Sequence, residues 1–501
     1  MQQQPESQTP AKGGMSSRVL KVMSIFGSVQ VVTIICSIVR VKLVALWIGP
    51  AGIGLYGIFN SALEMINNTC QLGLRSSAVR DLAAADSRTL PATVLTVRRL
   101  GWLLGLAGAV LTVCLSVPMS LYAFGDKGHA WCFCLLAAVV LLASLTASES
   151  AVFQGLKRFR RLARGMLWGA VGGLAVSIPM FRLWGIDSIL PSIVAYGVCS
   201  WLAIGMIHEK VAPPQQRITM RQSLSLGKKM LILGAYLTAC EFITAVVTFV
   251  FVGWLNKEAG EAQTGFFQAG FTIVNRYVGL VFTAIAVEYY PRLSQVIHSR
   301  ARTRLFVSHE MGLIMLILIP VVTWFIAADK LLVRFLYNSE FYVIMPFVTW
   351  GIVGTVLRAF SWCLSFSILA KGDGKAFLWT EALSAVFYLG ANMLFYKQWG
   401  IAGMGAAYAL WYGLYSVAVG VVYFWKFGFT VSGEGVKITL MTLAATVAAA
   451  AARIYLGWEA AAVVAVVASA WSLHRLRVSF LKGAPGLGAI LRGRRGPRAT
   501  R

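Results

Sequence analysis

Carboxylates are scarce in this chain: 19 Asp and Glu stand against 45 Lys and Arg in 501 residues, a formal net charge of +26. Charge of either sign is thin as well, at 13% of residues, while 58% are hydrophobic and mean hydropathy is +0.72. A soluble domain of this length cannot hide that much apolar surface. Polar segments long enough to fold as a catalytic domain are missing, which argues against an enzyme. The 5 histidines sit at loops or at the ends of apolar runs, without metal-binding partners at helical spacing. No pair among Cys36, Cys70, Cys114, Cys132, Cys134, Cys199, Cys240 and Cys363 has the spacing of a metal site or a secreted disulfide framework. The alternating ten-residue pattern of a membrane β-barrel is absent.

What the sequence does have is a series of nearly uncharged stretches from Val22 to His474. Each is close to the roughly 20 residues that cross a bilayer as a helix. Helices are the economical form there, because lipid cannot satisfy an open backbone. The expectation is an all-α, polytopic membrane protein with about fourteen spans, at 22–48, 52–75, 99–123, 129–153, 164–183, 187–207, 229–254, 264–288, 305–328, 342–369, 375–397, 400–425, 436–452 and 459–476. Residues 1–21 are polar, and the run after them is too long for the h-region of a cleavable signal.

Placement of the basic residues decides what the net charge means. They gather in alternate loops: Lys157, Arg158, Arg160, Arg161 and Arg164 in one, Arg292, Arg300, Arg302 and Arg304 in another. That is the positive-inside bias, and it puts both termini in the cytoplasm. The Gly/Arg-rich tail reads as a segment held at anionic headgroups, not as a nucleic-acid arm.

Two weak internal matches lie at nearly one offset. Gly54-Leu55-Tyr56 resembles Gly265-Phe266-Phe267, and Trp184-Gly185-Ile186 recurs as Trp399-Gly400-Ile401. They imply two pseudo-symmetric six-helix lobes of the same orientation, with substrate handled between them, plus a C-terminal helical hairpin. The expected organisation is a cytoplasmic segment 1–21, a lobe 22–207, a linker 208–228 containing Pro213-Pro214, a lobe 229–425, a hairpin 436–476 and a basic tail 477–501.

Gly52-Ile53-Gly54-Leu55-Tyr56-Gly57 matches a dinucleotide fingerprint literally, but it opens a membrane span and follows no strand. With Gly49-Pro50 it reads as a tight outer turn. Gly101, Gly105 and Gly108, like Gly165, Gly169 and Gly173, form small-residue rows for close helix packing.

Polar residues recur every three or four positions in certain spans, which places them on one helix face. The first span carries Gln30, Thr33, Ser37 and Arg40, and the second Asn60, Glu64, Asn67 or Asn68, and Gln71. The seventh carries Thr238, Glu241, Thr244 and Thr248, and the eighth Gln268, Thr272, Asn275 and Arg276. Thr355, Arg358, Ser361 and Ser365 follow in the tenth, then Glu381, Ser384, Tyr388 and Asn392 in the eleventh. An arginine near a span's centre costs about 2.5–3.5 kcal/mol even on lenient scales, so it faces water, a partner or a substrate. Arg276 and Arg358 lie near mid-span, with Arg40 and Lys42 nearer the outer end. These four, with Asn60, Gln268 and Asn275, are the candidate substrate-binding residues. Glu64, Glu241 and Glu381 are candidates for proton or sodium coupling, against the plainer reading of internal pairing with basic side chains. No cofactor or metal is expected.

Lys42-Leu43-Val44-Ala45 and Gly49-Pro50-Ala51-Gly52-Ile53-Gly54-Leu55 resemble the first helix and outer turn of Wzx-type flippases. These belong to the multidrug/oligosaccharidyl-lipid/polysaccharide exporter (MOP) superfamily. Phe267-Gln268-Ala269, Glu288-Tyr289-Tyr290-Pro291-Arg292-Leu293-Ser294, Leu336-Tyr337-Asn338-Ser339-Glu340-Phe341, Leu369-Ala370-Lys371-Gly372 and Thr380-Glu381 resemble later segments of the same family. The subgroup resembled most is the one that moves O-antigen and enterobacterial common antigen units. The resemblance implies a V-shaped pair of lobes in the bacterial inner membrane. It also implies a cationic cavity that moves an undecaprenyl-diphosphate-linked oligosaccharide to the outer leaflet by alternating access. Partners would be that lipid-linked oligosaccharide, membrane lipids and other polysaccharide-assembly membrane proteins, with no nucleic acid. Rival readings are a multidrug/cation antiporter of the same superfamily, a lipid II flippase, an O-antigen polymerase or ligase, and a non-transporting scaffold.

Overall fold

A computed structural model describes residues 14–209 and 219–481. The basic tail lies outside the described residues, apart from its first few positions, as do residues 210–218 with Pro213-Pro214. Among the described residues the chain is helical with no strand. Ten stretches are long and apolar enough to cross a membrane. Three of them, Phe159–Met206, Thr238–Phe282 and Gly374–Lys426, each hold two crossings, and the more polar helix Pro50–Gln71 completes the expected fourteen.

The chain runs through α1 (Gly14–Trp47), α2 (Pro50–Gln71), α3 (Leu74–Ala84), α4 (Leu90–Ala123), α5 (Ala130–Gly155), α6 (Phe159–Trp184), α7 (Ile189–Met206) and α8 (Met220–Phe271). It continues through α9 (Gly279–Val296), α10 (Arg300–Ala327), α11 (Asp329–Leu336), α12 (Met345–Ala370), α13 (Gly374–Gly420), α14 (Gly433–Tyr455) and α15 (Trp458–Leu481). Glycines in conformations that side chains rarely adopt turn the chain back on itself. Gly185 (φ 53°, ψ −128°) separates α6 from α7, and Gly400 (φ 59°, ψ −146°) breaks α13 in the same way. Gly49 (φ 87°) and Gly260 (φ 83°) form a second matched pair, five residues before Gly54 and Gly265. The repeat seen in the sequence is therefore also a repeat of backbone geometry.

The helices gather into two compact units. The first comprises Met1–Ile48 and Ile58–Ala245, the second Gly49–Gly57 and Val246–Arg501. The division falls inside α2 and α8. Glycine contacts supply the reason. In the second unit a Cβ on Gly54 would collide with the Glu261 carbonyl, and one on Gly265 with the Pro50 carbonyl. Gly52–Gly57 thus form the first turns of α2 and its packing surface, while the turn between α1 and α2 is confined to Ile48 and Gly49.

Within the first unit the two glycine rows do what their spacing predicts. A Cβ on Gly101 or Gly105 would crowd α5 at Ser148, Ser144 and Leu141. One on Gly169 or Gly173 would crowd α7 at Ser200 and Tyr196. α3 is an element the span reading passes over; it buries Leu74, Ala78 and Leu82 beneath α4 and α5. In the second unit α14 and α15 pack on α10 through small residues, Ala452, Ala461 and Ala465 against Ala327. A buried ion pair, Arg453 to Asp329 at 2.9 Å, fastens that hairpin to α11.

Candidate functional site

Among the described residues of the first unit, one guanidinium lies deep among the helices. Arg40 is 7% exposed, and its guanidinium carbon lies 4.0 Å from the centroid of the Tyr196 ring. Gly173 on α6 leaves room for that ring. The Arg40 Nε is buried without a hydrogen-bond partner, and among the described residues no carboxylate pairs with it. Lys42 is half-buried two residues on, and Asn60 is half-buried on α2. Glu64 is exposed. Glu241 is exposed too, and its carbonyl accepts a hydrogen bond from the Asn68 amide at 3.4 Å.

The second unit is wired differently. Between α8 and α9 the chain makes a π-helical turn, Thr272–Tyr277, which contains Asn275 and Arg276. Such turns leave carbonyls less fully engaged and recur at functional sites. Arg358 of α12 donates to the Asn275 carbonyl at 3.0 Å and to the Tyr408 hydroxyl at 3.3 Å. The Tyr408 hydroxyl in turn reaches Asn275 Oδ1 at 3.4 Å. The rings of Phe282 and Tyr412 flank the guanidinium, at 5.1 and 5.8 Å. Among the described residues Arg358 has no carboxylate partner. Arg276, its neighbour in the π-helical turn, is exposed.

Further along α13, Tyr415 donates to Glu381 and its hydroxyl lies 3.2 Å from Ser365 Oγ. Trp411 donates to Ser384 Oγ at 2.9 Å, closing the two halves of α13 on each other. Tyr388 is buried against Phe251, Phe271 and Trp411, and its hydroxyl has no partner.

The structure thus brings Arg358, Asn275 and Glu381 into one polar-aromatic lattice of the second unit and leaves Arg40 in the first. Gln268 does not join the lattice: its side chain fills the space over Gly57, where a Cβ would lie 2.5 Å from Cγ. The sequence reading missed Tyr408, Tyr412 and Tyr415, whose i, i+4, i+7 spacing was available. The polar stripes include Tyr388 but none is assigned to the twelfth span, where these three lie.

These features define a class: a multi-pass helical membrane protein with cations and aromatic hydroxyls set into its spanning helices. The chain belongs to the family described as polysaccharide biosynthesis protein, which matches residues 43–346. A protein named lipid III flippase, from Escherichia coli (strain K12), is 20% identical over 396 residues, covering 77% of this chain and 93% of its own. Two solved structures share the fold. The lipid II flippase MurJ in an inward closed conformation has a TM-score of 0.66 at 13% identity, over 90% of this chain and 99% of that one. An inward-facing multidrug resistance MATE family transporter of the MOP superfamily has a TM-score of 0.62 at 16% identity, over 83% of this chain and 95% of that one.

Proposed function

We propose that this protein is a flippase of the bacterial inner membrane. It carries an undecaprenyl-diphosphate-linked oligosaccharide of the O-antigen or common-antigen type from the cytoplasmic to the periplasmic leaflet, by alternating access. Both termini are cytoplasmic. Arg40, Lys42, Arg276 and Arg358 receive the diphosphate, and Asn60, Asn275 and the tyrosine hydroxyls of α13 meet sugar hydroxyls. Glu381, held by Tyr415, is the protonatable group that couples transport to a proton gradient.

The observation that carries this reading is the pair of guanidiniums in spanning helices, Arg40 and Arg358, that no carboxylate among the described residues neutralises. An uncompensated cation in a low-dielectric setting favours an anionic ligand, and the planar fork of arginine fits phosphate oxygens. A carrier of organic cations would need the opposite polarity at these positions. Family membership and the name of the Escherichia coli relative support the lipid-linked class of substrate.

The test is export of lipid-linked sugar in cells carrying Arg40→Ala or Arg358→Ala, with membrane abundance measured for each variant. The expected result is loss of export whatever sugar is attached, since the diphosphate is common to all such substrates. Wild-type export by both variants at normal abundance would overturn the reading. Resistance to cationic drugs conferred by the wild-type chain would favour the antiporter instead.

A further inference from the structure

A groove beside the end of α13 takes no part in the lattice around Arg358. It measures about 290 Å³, and its walls are Phe360 of α12, Val417 and Gly420 of α13, and Val421, Phe424 and Trp425 of the π-helical turn Val421–Lys426. Val417, Gly420, Val421 and Phe424 recur at three- and four-residue spacing and form one stripe. Tyr415, which donates to Glu381, lies about 200° from Val417 around the helix, on the far side from that stripe. The stripe ends the spanning segment Gly374–Lys426, so its surroundings are hydrocarbon.

Three details make this stripe a receptacle. Gly420 leaves the floor open, because a Cβ there would meet only Phe424 ring carbons, at 3.6 and 3.7 Å. Ser416, the polar residue of the lining, turns its hydroxyl inward to the carbonyls of Tyr412 (2.7 Å) and Leu357 (3.2 Å). Trp425 is 83% exposed at the end of the span, where tryptophan marks the headgroup level.

A cationic rim lies immediately beyond. Lys426 is 2.6 Å from Asp373, the carboxylate of this rim. Arg300 reaches over Gly428, where a Cβ would lie 3.2 Å from its guanidinium carbon. Arg300 makes no ion pair among the described residues.

We propose that this groove binds one acyl chain of an anionic membrane phospholipid, with the headgroup phosphate at Arg300 and Lys426. Hydrocarbon fits the lining, and the rim supplies the charge that selects an anionic headgroup over a zwitterionic one. From Val417 to Trp425 the stripe is about 12 Å long at 1.5 Å per residue. That suits part of an acyl chain in one leaflet and only a small fraction of an undecaprenyl tail. The site is separate from the residues assigned to the diphosphate, so its failure would leave the flippase reading intact.

The experiment is native mass spectrometry of the full-length protein with added phosphatidylglycerol or phosphatidylethanolamine, and in a separate competition with phosphatidylglycerol and undecaprenyl phosphate together. The wild type is expected to retain phosphatidylglycerol in clear preference. Gly420→Leu, which fills the groove from its open floor, should abolish that retention. Arg300→Gln leaves the groove open and should weaken retention by about fivefold, the effect of one basic residue at a headgroup. Equal retention of the two lipids overturns the proposal, as does undiminished phosphatidylglycerol binding by both variants. Retention of undecaprenyl phosphate in preference to phosphatidylglycerol would assign the groove to the substrate tail and overturn it equally.

Discussion

Arg40 in the first unit and Arg358 in the second both sit in spanning helices against aromatic rings, yet their hydrogen bonding differs. Arg40 lies on one tyrosine face, and its buried Nε is unsatisfied. Arg358 is held by a backbone carbonyl and a phenol, inside a lattice that continues through Tyr408 and Asn275. The surroundings match this contrast: glycine and serine rows pack the first unit, whereas Tyr388, Tyr408, Trp411, Tyr412 and Tyr415 crowd the second. A guanidinium left unsatisfied is poised for a ligand and contributes little to folding. One satisfied by its own protein is structural as well, and a ligand must compete for it or share it.

The largest difference between the two units is expected at their glycines. Gly265→Ala in the second unit would drive a methyl into the Pro50 backbone, which cannot yield as a side chain can. The expected cost exceeds about 3 kcal/mol, seen as near-complete loss of folded protein. Gly105→Ala in the first unit meets the Leu141 side chain at 2.9 Å, and a rotamer change should limit the cost to about 1–2 kcal/mol. Fluorescence-detected size exclusion of both variants compares them directly. Equal abundance would show that backbone approach matters no more than side-chain contact.

Ion pairs give the next effect. Asp329→Ala strands Arg453 in a nearly buried site, with side-chain exposures of 2% and 17%, and should cost about 3–5 kcal/mol. Glu149→Ala in the first unit disturbs a wetter cluster, where Arg98 binds Glu149 at 2.7 Å and Arg158 and Arg161 reach Glu209. About 1 kcal/mol is expected there. Melting of the purified variants separates the two, and Asp329→Ala/Arg453→Met should recover most of the loss.

The two arginines should differ in what they contribute to folding. Arg358→Ala should lower stability by about 1–3 kcal/mol, because the Asn275 carbonyl and Tyr408 hydroxyl lose a donor. Arg40→Ala should melt within about 1 kcal/mol of wild type, since the lost contact with the Tyr196 ring is offset by removal of a buried cation whose Nε has no hydrogen-bond partner. Export should fail in both. A large loss of stability in Arg40→Ala would mean that its partners are structural after all.

The smallest effect concerns Asp373, in the turn before α13. A hydrogen bond from the Lys426 ammonium, aided by the Ala376 amide, holds its carboxyl below the ordinary value of 3.8. Its stabilising contribution is therefore complete above that value and fades as pH falls through the lowered one. Asp373→Asn should reduce stability by under about 1 kcal/mol at pH near 7, and the difference should narrow as pH falls below 3.8. In the first unit Asp126 is lowered in the same direction by a histidine, His129. A persistent Asp373→Asn difference in acid would assign the effect to helix capping, not to charge.

Spans were legible because the bilayer imposes a length and forbids an unsatisfied backbone, so even the short Ala/Val-rich hairpin at 436–476 announced itself. Gly185 and Gly400 were legible as repeated tripeptides, although their shared backbone conformation was not. α3 escaped because Leu74, Ala78 and Leu82 lie in a stretch too polar and too short for a span. The π-helical turn at Thr272–Tyr277 escaped for a different reason: a period of 3.6 assumes every turn is α. Asn275 was identified as a polar side chain, yet its carbonyl receives Arg358, and no side-chain pattern reveals a backbone acceptor. Gln268 fell on a polar stripe, but a glycine on another helix decides where it packs.

The glycine crossing of α2 with α8 also bears on how the chain is made. Gly54 meets a partner 211 residues later in the sequence, at Gly265. At about 5–20 residues per second, synthesis needs roughly 10–40 s to deliver that partner after Gly54 has emerged. Through that interval the N-terminal end of α2 has its packing surface uncovered, although the helix is already formed. The first hairpin to enter the membrane is thus completed only after more than half of the chain has been made.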